Sequence, residues 1–323
     1  MTTSGKDSLR ISAVICTYRH PDMLRAAVKS LLNQTLPAEE YEIIVVDNNS
    51  QDETANVVNE LAETVSHPVR YIFEGQQGLS YARNAGIEAA RGDIIAFLDD
   101  DAEADPGWLA ALLDVYDSVP EAWAVGGKVL PKLEVELPRW LEDKDAMFAS
   151  LSILELGEEI RPLKQNEIIL GANCSFRKNV FIETGLFSSA LGRKGTLLLG
   201  FEEIEIQQHI HDYGKLVFYT PQAVVYHYIP QERLTKRYLY SRHYGSGISE
   251  PLLLMRNGKT AEFYKRILLN GGALLWLSFS LTWRIWKDRT SFRVFQRMAY
   301  NWGYFKQAII LILLKKNRTR STN

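Results

Sequence analysis

Cysteine is scarce in this chain of 323 residues, which contains only Cys16 and Cys174. No CxxC pair and no cluster of cysteine and histidine accompanies them, so the usual spacing of a structural zinc site is excluded. We expect no disulfide framework and interpret both as buried thiols in a reducing compartment. No apolar stretch behind basic residues stands at the start of the sequence, so we also expect no secretory signal.

Internal repeats and low-complexity linkers are missing as well, and a composition of 46% apolar and 24% charged residues argues against disorder. The length allows one large α/β domain with an appendage. The net charge of −2 conceals an asymmetry, because the residues from Pro251 onward include 14 Lys or Arg and 2 Asp or Glu. The basic end of an otherwise acidic chain predicts an anionic partner, for which phospholipid and nucleic acid are the usual candidates.

Short apolar runs rich in β-forming residues alternate with helical periodicity in the first hundred residues. This alternation predicts an α/β fold with a mostly parallel sheet and right-handed crossovers. The predicted strands are 11–17, 41–46, 69–73 and 94–98, and the predicted helices are 21–34, 54–64 and 80–90.

Polar clusters follow three of these strands: Thr17-Tyr18-Arg19, Asp47-Asn48-Asn49 and Asp99-Asp100-Asp101. Ligands of parallel α/β sheets bind beyond the carboxyl ends of the strands. Three polar clusters at the same edge of the sheet therefore predict a binding site.

The acidic run Asp99-Asp100-Asp101 places three carboxylates directly after a buried strand. Carboxylates this close repel one another unless a cation neutralises them. One or two carboxylates together with diphosphate oxygens are typical ligands of Mg²⁺, and Mn²⁺ is a near equivalent. Asp99 and Asp101 are the candidate ligands. Capping of a helix near residue 106 is the alternative, but three consecutive acids exceed what a cap requires.

Two further clusters have both a functional and a structural interpretation. Asp47 and Asn48 can bind the edge of a nucleobase, or they can form an Asx turn. Arg83, on a predicted helix, can pair with a diphosphate or with the acids, or it can be a solvated surface residue.

Glu202 and Glu203 open a predicted helix after the Gly200-Phe201 pair. Acids in a first turn are favoured by the helix dipole. A carboxylate there is also a candidate general base for removing the proton of an attacking hydroxyl. His227, which follows a predicted strand, is either structural or a nitrogen ligand for the same cation as the aspartates.

The C-terminal part contains two apolar stretches, 267–283 and 308–314, bracketed by Lys and Arg. The first is close to the roughly 17–25 residues that cross a bilayer, but Asn270 and the Gly271-Gly272 pair weaken it. Helices lying on a membrane surface and helices packed on the catalytic domain are the alternatives. We favour the membrane surface, and we expect a catalytic domain at 1–240 and a basic helical region at 241–323.

Several of these segments, taken in order from Ile11 to Tyr228, resemble the family 2 glycosyltransferases with the GT-A fold. The matching segments are Val14-Ile15-Cys16-Thr17-Tyr18-Arg19, Ser30-Leu31-Leu32-Asn33-Gln34, Val45-Val46-Asp47-Asn48-Asn49-Ser50, Ala82-Arg83-Asn84-Ala85-Gly86, Gly92-Asp93 through Asp101, and Gly171-Ala172-Asn173. The resemblance implies a Rossmann-like sheet flanked by helices, here with a helical C-terminal appendage.

The resemblance also implies an activity: inverting transfer of a sugar from a nucleoside diphosphate sugar, commonly UDP-sugar, to a hydroxyl. Polysaccharide or glycolipid synthesis, with a glycan or lipid-linked acceptor, is the implied setting. We expect the protein in the cytoplasm at the inner face of the cell membrane, with no nucleic-acid partner.

The family's functional positions fall on defined residues of this chain. Those for donor binding are Thr17, Tyr18, Arg19, Asp47, Asn48, Arg83, Asp99 and Asp100. Those for Mn²⁺ or Mg²⁺ are Asp99, Asp101 and His227. The family's base is usually the Asp of a Glu-Asp pair, which places the base of this chain on Glu203 and leaves the choice between Glu202 and Glu203 open.

Three other functions are compatible with parts of the pattern. A catalytically inactive nucleotide-sugar-binding protein conflicts with the intact set of acids. A glycoside hydrolase with two carboxylates leaves the polar strand ends unexplained. A nucleotidyltransferase lacks a glycine-rich phosphate loop after the first strand.

Overall fold

The computed structural model describes residues 9–63, 69–141, 148, 150–164, 166–195, 197–285 and 292–321. The chain forms two compact units. The first comprises the described residues of Met1–Glu134, Ser152–Ser189 and Glu202–Ile229, and the second those of Val135–Leu151, Ala190–Phe201 and Pro230–Asn323. The predicted domain boundary after residue 240 stays a prediction.

A mixed sheet forms the centre of the first unit. Its described strands are β1 Ile11–Thr17, β2 Tyr41–Asp47, β3 Val69–Phe73, β4 Ile94–Asp99, β5 Ala102–Ala104, β6 Ala122–Leu133, β7 Arg161–Pro162, β8 Asn173–Arg177 and β9 Leu216–Ile229. Their order is β3-β2-β1-β4-β8-β6-β9-β5, and β7 pairs with β9.

Strands β3, β2, β1 and β4 pair in parallel, with Cys16 beside Val46 on one side and Asp99 on the other. Helices occupy the crossovers: α1 Pro21–Leu32, α2 Thr54–Glu63 and α3 Leu79–Ala89. Strand β2 is buried along its whole length and β1 nearly so. This burial explains why both strands are continuous apolar runs in the sequence, and the predicted alternation of strands and helices is confirmed.

The remaining strands of the sheet pair mostly antiparallel, and the long strand β9 pairs with three of them. Strand β9 pairs in parallel with β6 and antiparallel with β5 and β7. Strand β9 continues without a break across the two apolar runs on either side of Pro221. A register shift follows Gly127, where an added Cβ would lie 1.9 Å from the carbonyl oxygen of Ala223. Only glycine fits at this irregularity.

Three further helices belong to the first unit: α4 Trp108–Ser118, α5 Val180–Thr184 and α6 Glu202–Asp212. A fully buried amide links α4 to the sheet. Asn173 accepts a hydrogen bond from Trp108 Nε1 at 2.8 Å and donates to the carbonyl oxygens of Lys128 and Ala223 at 2.9 and 2.8 Å. Its acceptor and both of its donor contacts are thereby used within the core.

The second unit is helical, with α7 Lys236–Arg256, α8 Thr260–Ile285 and α9 Phe292–Ser321. Helices α7 and α9 approach closely, since a Cβ on Gly247 would lie 2.0 Å from the Tyr300 carbonyl oxygen and one on Gly303 would lie 2.3 Å from that of Tyr244. Within the described residues, none of the helices has the length and hydropathy to cross a membrane.

Candidate active site

Asp100 joins the loop after β1 to the loop after β4. Its Oδ2 accepts a hydrogen bond from Thr17 Oγ1 at 2.8 Å and a longer one from the Tyr18 backbone N–H at 3.4 Å. The Nδ1 atom of His20 lies 3.3 Å from the same oxygen. The middle acid of the run therefore fixes the neighbouring loop.

Asp47 is held at the end of β2 by two donors. Its Oδ1 accepts the Ser50 backbone N–H at 2.9 Å, and its Oδ2 accepts the Tyr71 hydroxyl at 2.8 Å. Burial and then the hydrogen bond to Asp47 raise the pKa of Tyr71, which keeps this phenol protonated as a donor. The first contact is local but reaches three residues along the chain, one more than the Asx turn that the sequence suggested. Together the two contacts orient the carboxylate.

Asn48 ties β2 to the segment that leads into α3. Its Nδ2 donates to the Gln76 carbonyl oxygen at 2.7 Å, and its Oδ1 accepts the Gly78 N–H at 2.6 Å. The amide is 5% exposed, so its main role in this structure is to shape the loop beside Asp47.

Arg19 connects the first two strand ends. Its backbone N–H donates to Ser50 Oγ at 3.0 Å, and its Nε donates to the Ser50 carbonyl oxygen at 3.2 Å. The residue has a φ of 60°, in the left-handed region, and its guanidinium lies 5.1 Å from the centre of the Tyr18 ring. The loop after β1 is therefore fixed to both of the other polar clusters.

Asp101 and His227 lie side by side. Strand β5 pairs with β9 so that Ala102 is opposite His227, and His227 Nε2 is 3.4 Å from Asp101 Oδ1. Both side chains are almost completely buried, at 3% and 4% exposure. A cavity of about 310 Å³ lies beside them, and its lining residues are Asp22, Met23, Ala26, Asp101, Ala102, Glu103, Lys132 and Tyr228.

Arg83 is 2% exposed, which excludes a solvated helix face. Its Nη1 donates to Glu202 Oε1 at 2.7 Å, and its Nη2 lies 3.6 Å from Asp99 Oδ1. Burial opposes the charged guanidinium, but nearby negative charge, led by that of Glu202 and including that of Asp99, outweighs it and raises the pKa of Arg83. Arg83 is thus paired with the acids.

Glu202 and Glu203 begin α6 in different surroundings. Glu202 is 3% exposed and is paired with Arg83, whereas Glu203 is partly exposed. The two glutamates that the sequence could not distinguish are therefore a buried ion-pair partner and a partly exposed acid whose Oε2 atom is buried.

A divalent cation suits part of this arrangement. No group of three or more His, Cys, Asp or Glu side chains gathers for an ion within the part of the chain that the structure describes. Asp101 and His227 nevertheless place a carboxylate next to an imidazole, and Asp99 ends β4 two residues before Asp101. Such a set fits Mg²⁺ or Mn²⁺ that takes its remaining ligands from diphosphate and water.

The sequence model of Glycosyl transferase family 2 matches residues 12–185, more than half of the chain. The chain belongs to glycosyltransferase family 2. It is accordingly a glycosyltransferase of class EC 2.4, and the resemblance found in its motifs is confirmed.

Two relatives match over most of their length. The glucosyl-dolichyl phosphate glucuronosyltransferase of Haloferax volcanii is 29% identical over 248 residues, which cover 76% of this chain and 77% of the relative. The succinoglycan biosynthesis protein ExoM of Rhizobium meliloti is 28% identical over 252 residues, which cover 77% and 76%.

Solved structures share the fold. The mannosyltransferase PcManGT of Pyrobaculum calidifontis, in complex with GDP-Man and Mn²⁺, superposes with a TM-score of 0.65 at 17% identity over 96% of this chain and 88% of its own. GalNAc-T7 with UDP, GalNAc and Mn²⁺ has a TM-score of 0.54 at 18% identity over 76% and 51%. The predicted GT-A type α/β fold with a helical C-terminal appendage is confirmed.

Two residues of the site were missed by sequence reasoning. His20 stands directly after the Thr17-Tyr18-Arg19 cluster, so its position in the loop was a usable signal. Tyr71 lies within β3 and carries no such signal, because its contact with Asp47 arises only from the pairing of β2 with β3.

Proposed function

We propose that this glycosyltransferase transfers a sugar, with inversion, from a nucleoside diphosphate sugar to a hydroxyl of a glycan or lipid-linked acceptor. One observation carries the proposal: the polar ends of β1, β2 and β4 are joined by side-chain hydrogen bonds, notably Thr17 to Asp100 and Arg19 to Ser50. Three strand ends held together at the carboxyl edge of a parallel sheet suit a nucleotide-sized ligand.

The nucleoside would lie against Thr17, Tyr18, Arg19, Asp47 and Asn48. Asp47 offers a carboxylate whose orientation is fixed by Ser50 and Tyr71. A carboxylate accepts the ring N–H that uracil and guanine both present. UDP is the first candidate, and a GDP-sugar is the second, since PcManGT is in complex with GDP-Man.

A divalent cation, Mn²⁺ or Mg²⁺, would be held by Asp99, Asp101 and His227. When bound, it neutralises the charge that develops on the departing diphosphate. Asp100 accepts a hydrogen bond from Thr17 and thereby holds the loop after β1. This loop, which would contact the nucleoside, is therefore fixed relative to Asp99 and Asp101.

Glu203 is the proposed general base. As the acceptor oxygen attacks the anomeric carbon, Glu203 takes the hydroxyl proton, and the bond from that carbon to the diphosphate breaks with the electron pair leaving on the diphosphate. Glu202 is less suited to this step because its carboxylate is buried against Arg83 at 2.7 Å.

The same proposal places the enzyme at a membrane surface on the cytoplasmic side. On α9, Trp302, Ile309 and Leu313 are 57%, 43% and 55% exposed and share one face with the exposed Lys306, while Ala308 is buried on another. Apolar side chains interleaved with cations suit the interface of an anionic membrane. A lipid-linked acceptor fits this placement, and the H. volcanii relative is named for a glucosyl-dolichyl phosphate.

A donor screen tests the proposed function. Full-length protein is incubated with UDP- and GDP-sugars and Mn²⁺, with and without polyprenyl-phosphate-linked glycans, and released nucleoside diphosphate is measured. Release from one donor that increases with an acceptor is expected. Nucleotide binding without release from any donor would identify an inactive binding protein, and glycan cleavage without a donor would identify a hydrolase.

A further inference from the structure

The guanidinium of Arg83 is almost completely buried. It lies against the rings of Phe97 and Phe187, which also meet each other edge to face, with its carbon 5.5 and 5.4 Å from their centres. Its Nη2 also donates to the Gly171 carbonyl oxygen at 3.2 Å, and a Cβ on Gly171 would lie 2.4 Å from that nitrogen. The aromatic rings and the missing side chain at Gly171 together form a cavity shaped for this planar cation.

Burial of the Arg83 guanidinium determines which carboxylate it pairs with. Glu202 is buried and its Oε1 is 2.7 Å from Arg83 Nη1. If Arg83 turned away to bind a diphosphate, Glu202 would remain buried without its countercharge, which is strongly unfavourable. A second carboxylate, Asp99, is nearby at 3.6 Å and is 30% exposed, so it is the one that remains open towards a ligand.

Three elements therefore meet on one side chain. Arg83 contacts the end of β4 through Asp99, the segment before β8 through Gly171, and the start of α6 through Glu202. In the proposed function, β4 supplies an acid for the cation and α6 supplies the base Glu203. The distance between metal and base is a catalytic requirement, because a displacement of about 1 Å can cost a hundredfold in rate.

We propose that Arg83 is a positioning residue that sets the start of α6 relative to Asp99, and that Glu202 is its anchor. Arg83 then contributes to the rate of transfer without contacting the donor diphosphate. This inference rests on the proposed function and assigns the two acids at the start of α6 separate roles: Glu202 fixes the helix, and Glu203 exchanges the proton.

The test compares Arg83→Gln, Glu202→Gln and the double variant with Arg91→Gln, an exposed arginine just beyond the same helix. Binding of UDP and GDP with Mn²⁺ is measured by titration calorimetry, and kcat and the donor KM are measured separately. We expect kcat to fall about a hundredfold in Arg83→Gln, with nucleotide affinity, binding stoichiometry and donor KM within about threefold of wild type. Arg91→Gln should match wild type.

The double variant should lose little more than Arg83→Gln alone, since both changes remove the same contact. Arg83→Lys, which keeps the charge, serves if Arg83→Gln folds poorly, and the same split between kcat and KM is expected of it. A loss of nucleotide affinity of tenfold or more, with Glu202→Gln near wild type, would overturn the inference and make Arg83 a diphosphate ligand. If binding stoichiometry and kcat fell by the same factor in Arg83→Gln, the lost activity would reflect unfolded protein. Arg83 would then be a structural residue, and the inference would be overturned. Wild-type protein that transfers no sugar from any donor would instead sink the proposed function.

Discussion

His227 Nε2 lies 3.4 Å from Asp101 Oδ1, although the two residues stand 126 positions apart in the sequence. The antiparallel pairing of β5 with β9 produces this contact, and the Tyr228 N–H donates to the Asp101 carbonyl oxygen at 2.7 Å beside it. An imidazole and a carboxylate are thus brought together by backbone pairing.

We expect both Asp101 and His227 to affect how the transfer activity depends on the Mn²⁺ concentration. His227→Asn should raise the Mn²⁺ concentration for half-maximal transfer by about ten- to a hundredfold, because one nitrogen beside Asp101 is lost. Asp101→Asn should lower kcat/KM more strongly at every metal concentration. Titration of activity with Mn²⁺ measures both effects, with His211→Asn, an exposed histidine, as control. Unchanged metal dependence in His227→Asn would leave this histidine a structural residue.

Removing the proposed base, Glu203, should slow the transfer step and leave nucleotide binding unchanged. Glu203→Gln should lower kcat by about 10²- to 10⁴-fold, while the affinity for nucleoside diphosphate and Mn²⁺ stays the same. Asp212→Asn, an exposed acid at the other end of α6, is the matched control and should behave like wild type. If Glu203→Gln transferred sugar at the normal rate, the base would have to be another group.

The buried amide of Asn173 predicts a loss of stability. Asn173→Leu would leave Trp108 Nε1 and the carbonyl oxygens of Lys128 and Ala223 without their partners. Unsatisfied buried groups cost about 1–3 kcal/mol each, so we expect the free energy of unfolding to fall by about 3 kcal/mol or more in urea titrations. Asn179→Leu, on the loop before α5, should cost much less, and equal losses in the two variants would contradict the role of the amide.

His243 predicts a pH dependence of the second unit. Burial, followed by the charge of Arg242, lowers the pKa of His243 to about 4. Its Nε2 lies 2.9 Å from both Ser150 Oγ and Gln296 Nε2. Between an ordinary histidine pKa of about 6.5 and this value, the unfolded chain binds a proton that the folded chain does not.

Stability should therefore fall as the pH decreases from about 6.5 to 4, by on the order of 1–3 kcal/mol from this group. Urea unfolding at several pH values measures it, and His243→Gln should show a shallower decline than wild type over that window. Equal slopes in the two proteins would assign the acid sensitivity to other groups.

Membrane binding should depend on the exposed face of α9. Replacing Trp302 and Leu313 by serine should lower binding to vesicles containing anionic lipid by about tenfold or more, since both side chains lose apolar contact with the interface. Ile182→Ser, at an 83% exposed position of the first unit, is the control. Binding should also weaken with salt, and wild-type protein that floats equally well with neutral vesicles would exclude the electrostatic part.

The parallel half of the fold was readable because each of its strands is a short apolar run ended by polar residues. Strand β1 was predicted at its observed bounds, and β4 differs by one residue. The antiparallel half was less accessible, since β5 has three residues and β9 joins two runs into one strand. Local periodicity carries no information about which distant strands pair.

The residues of the candidate site also divide into those that a local pattern predicts and those that depend on contacts between distant parts of the chain. Residues that cluster in sequence, such as the acidic run, were found from the pattern alone. The proposed choice of Glu203 over Glu202 as the base could not be made from the pattern, because it depends on a contact between residues 119 positions apart. Which of two adjacent glutamates pairs with a distant arginine is a tertiary property that two identical side chains cannot reveal in sequence.

Contact between Arg83 and Glu202 has a consequence for how this enzyme can diverge. Replacing Arg83 alone leaves a buried carboxylate without its cation, and replacing Glu202 alone leaves the buried guanidinium only the more distant Asp99. Replacing both with neutral side chains that fill the same volume removes the problem. Gly171 is constrained by the same ion pair, because a Cβ there would lie 2.4 Å from Arg83 Nη2. Lineages that exchange one of these three residues should carry compensating changes at the others, even where donor and acceptor have changed.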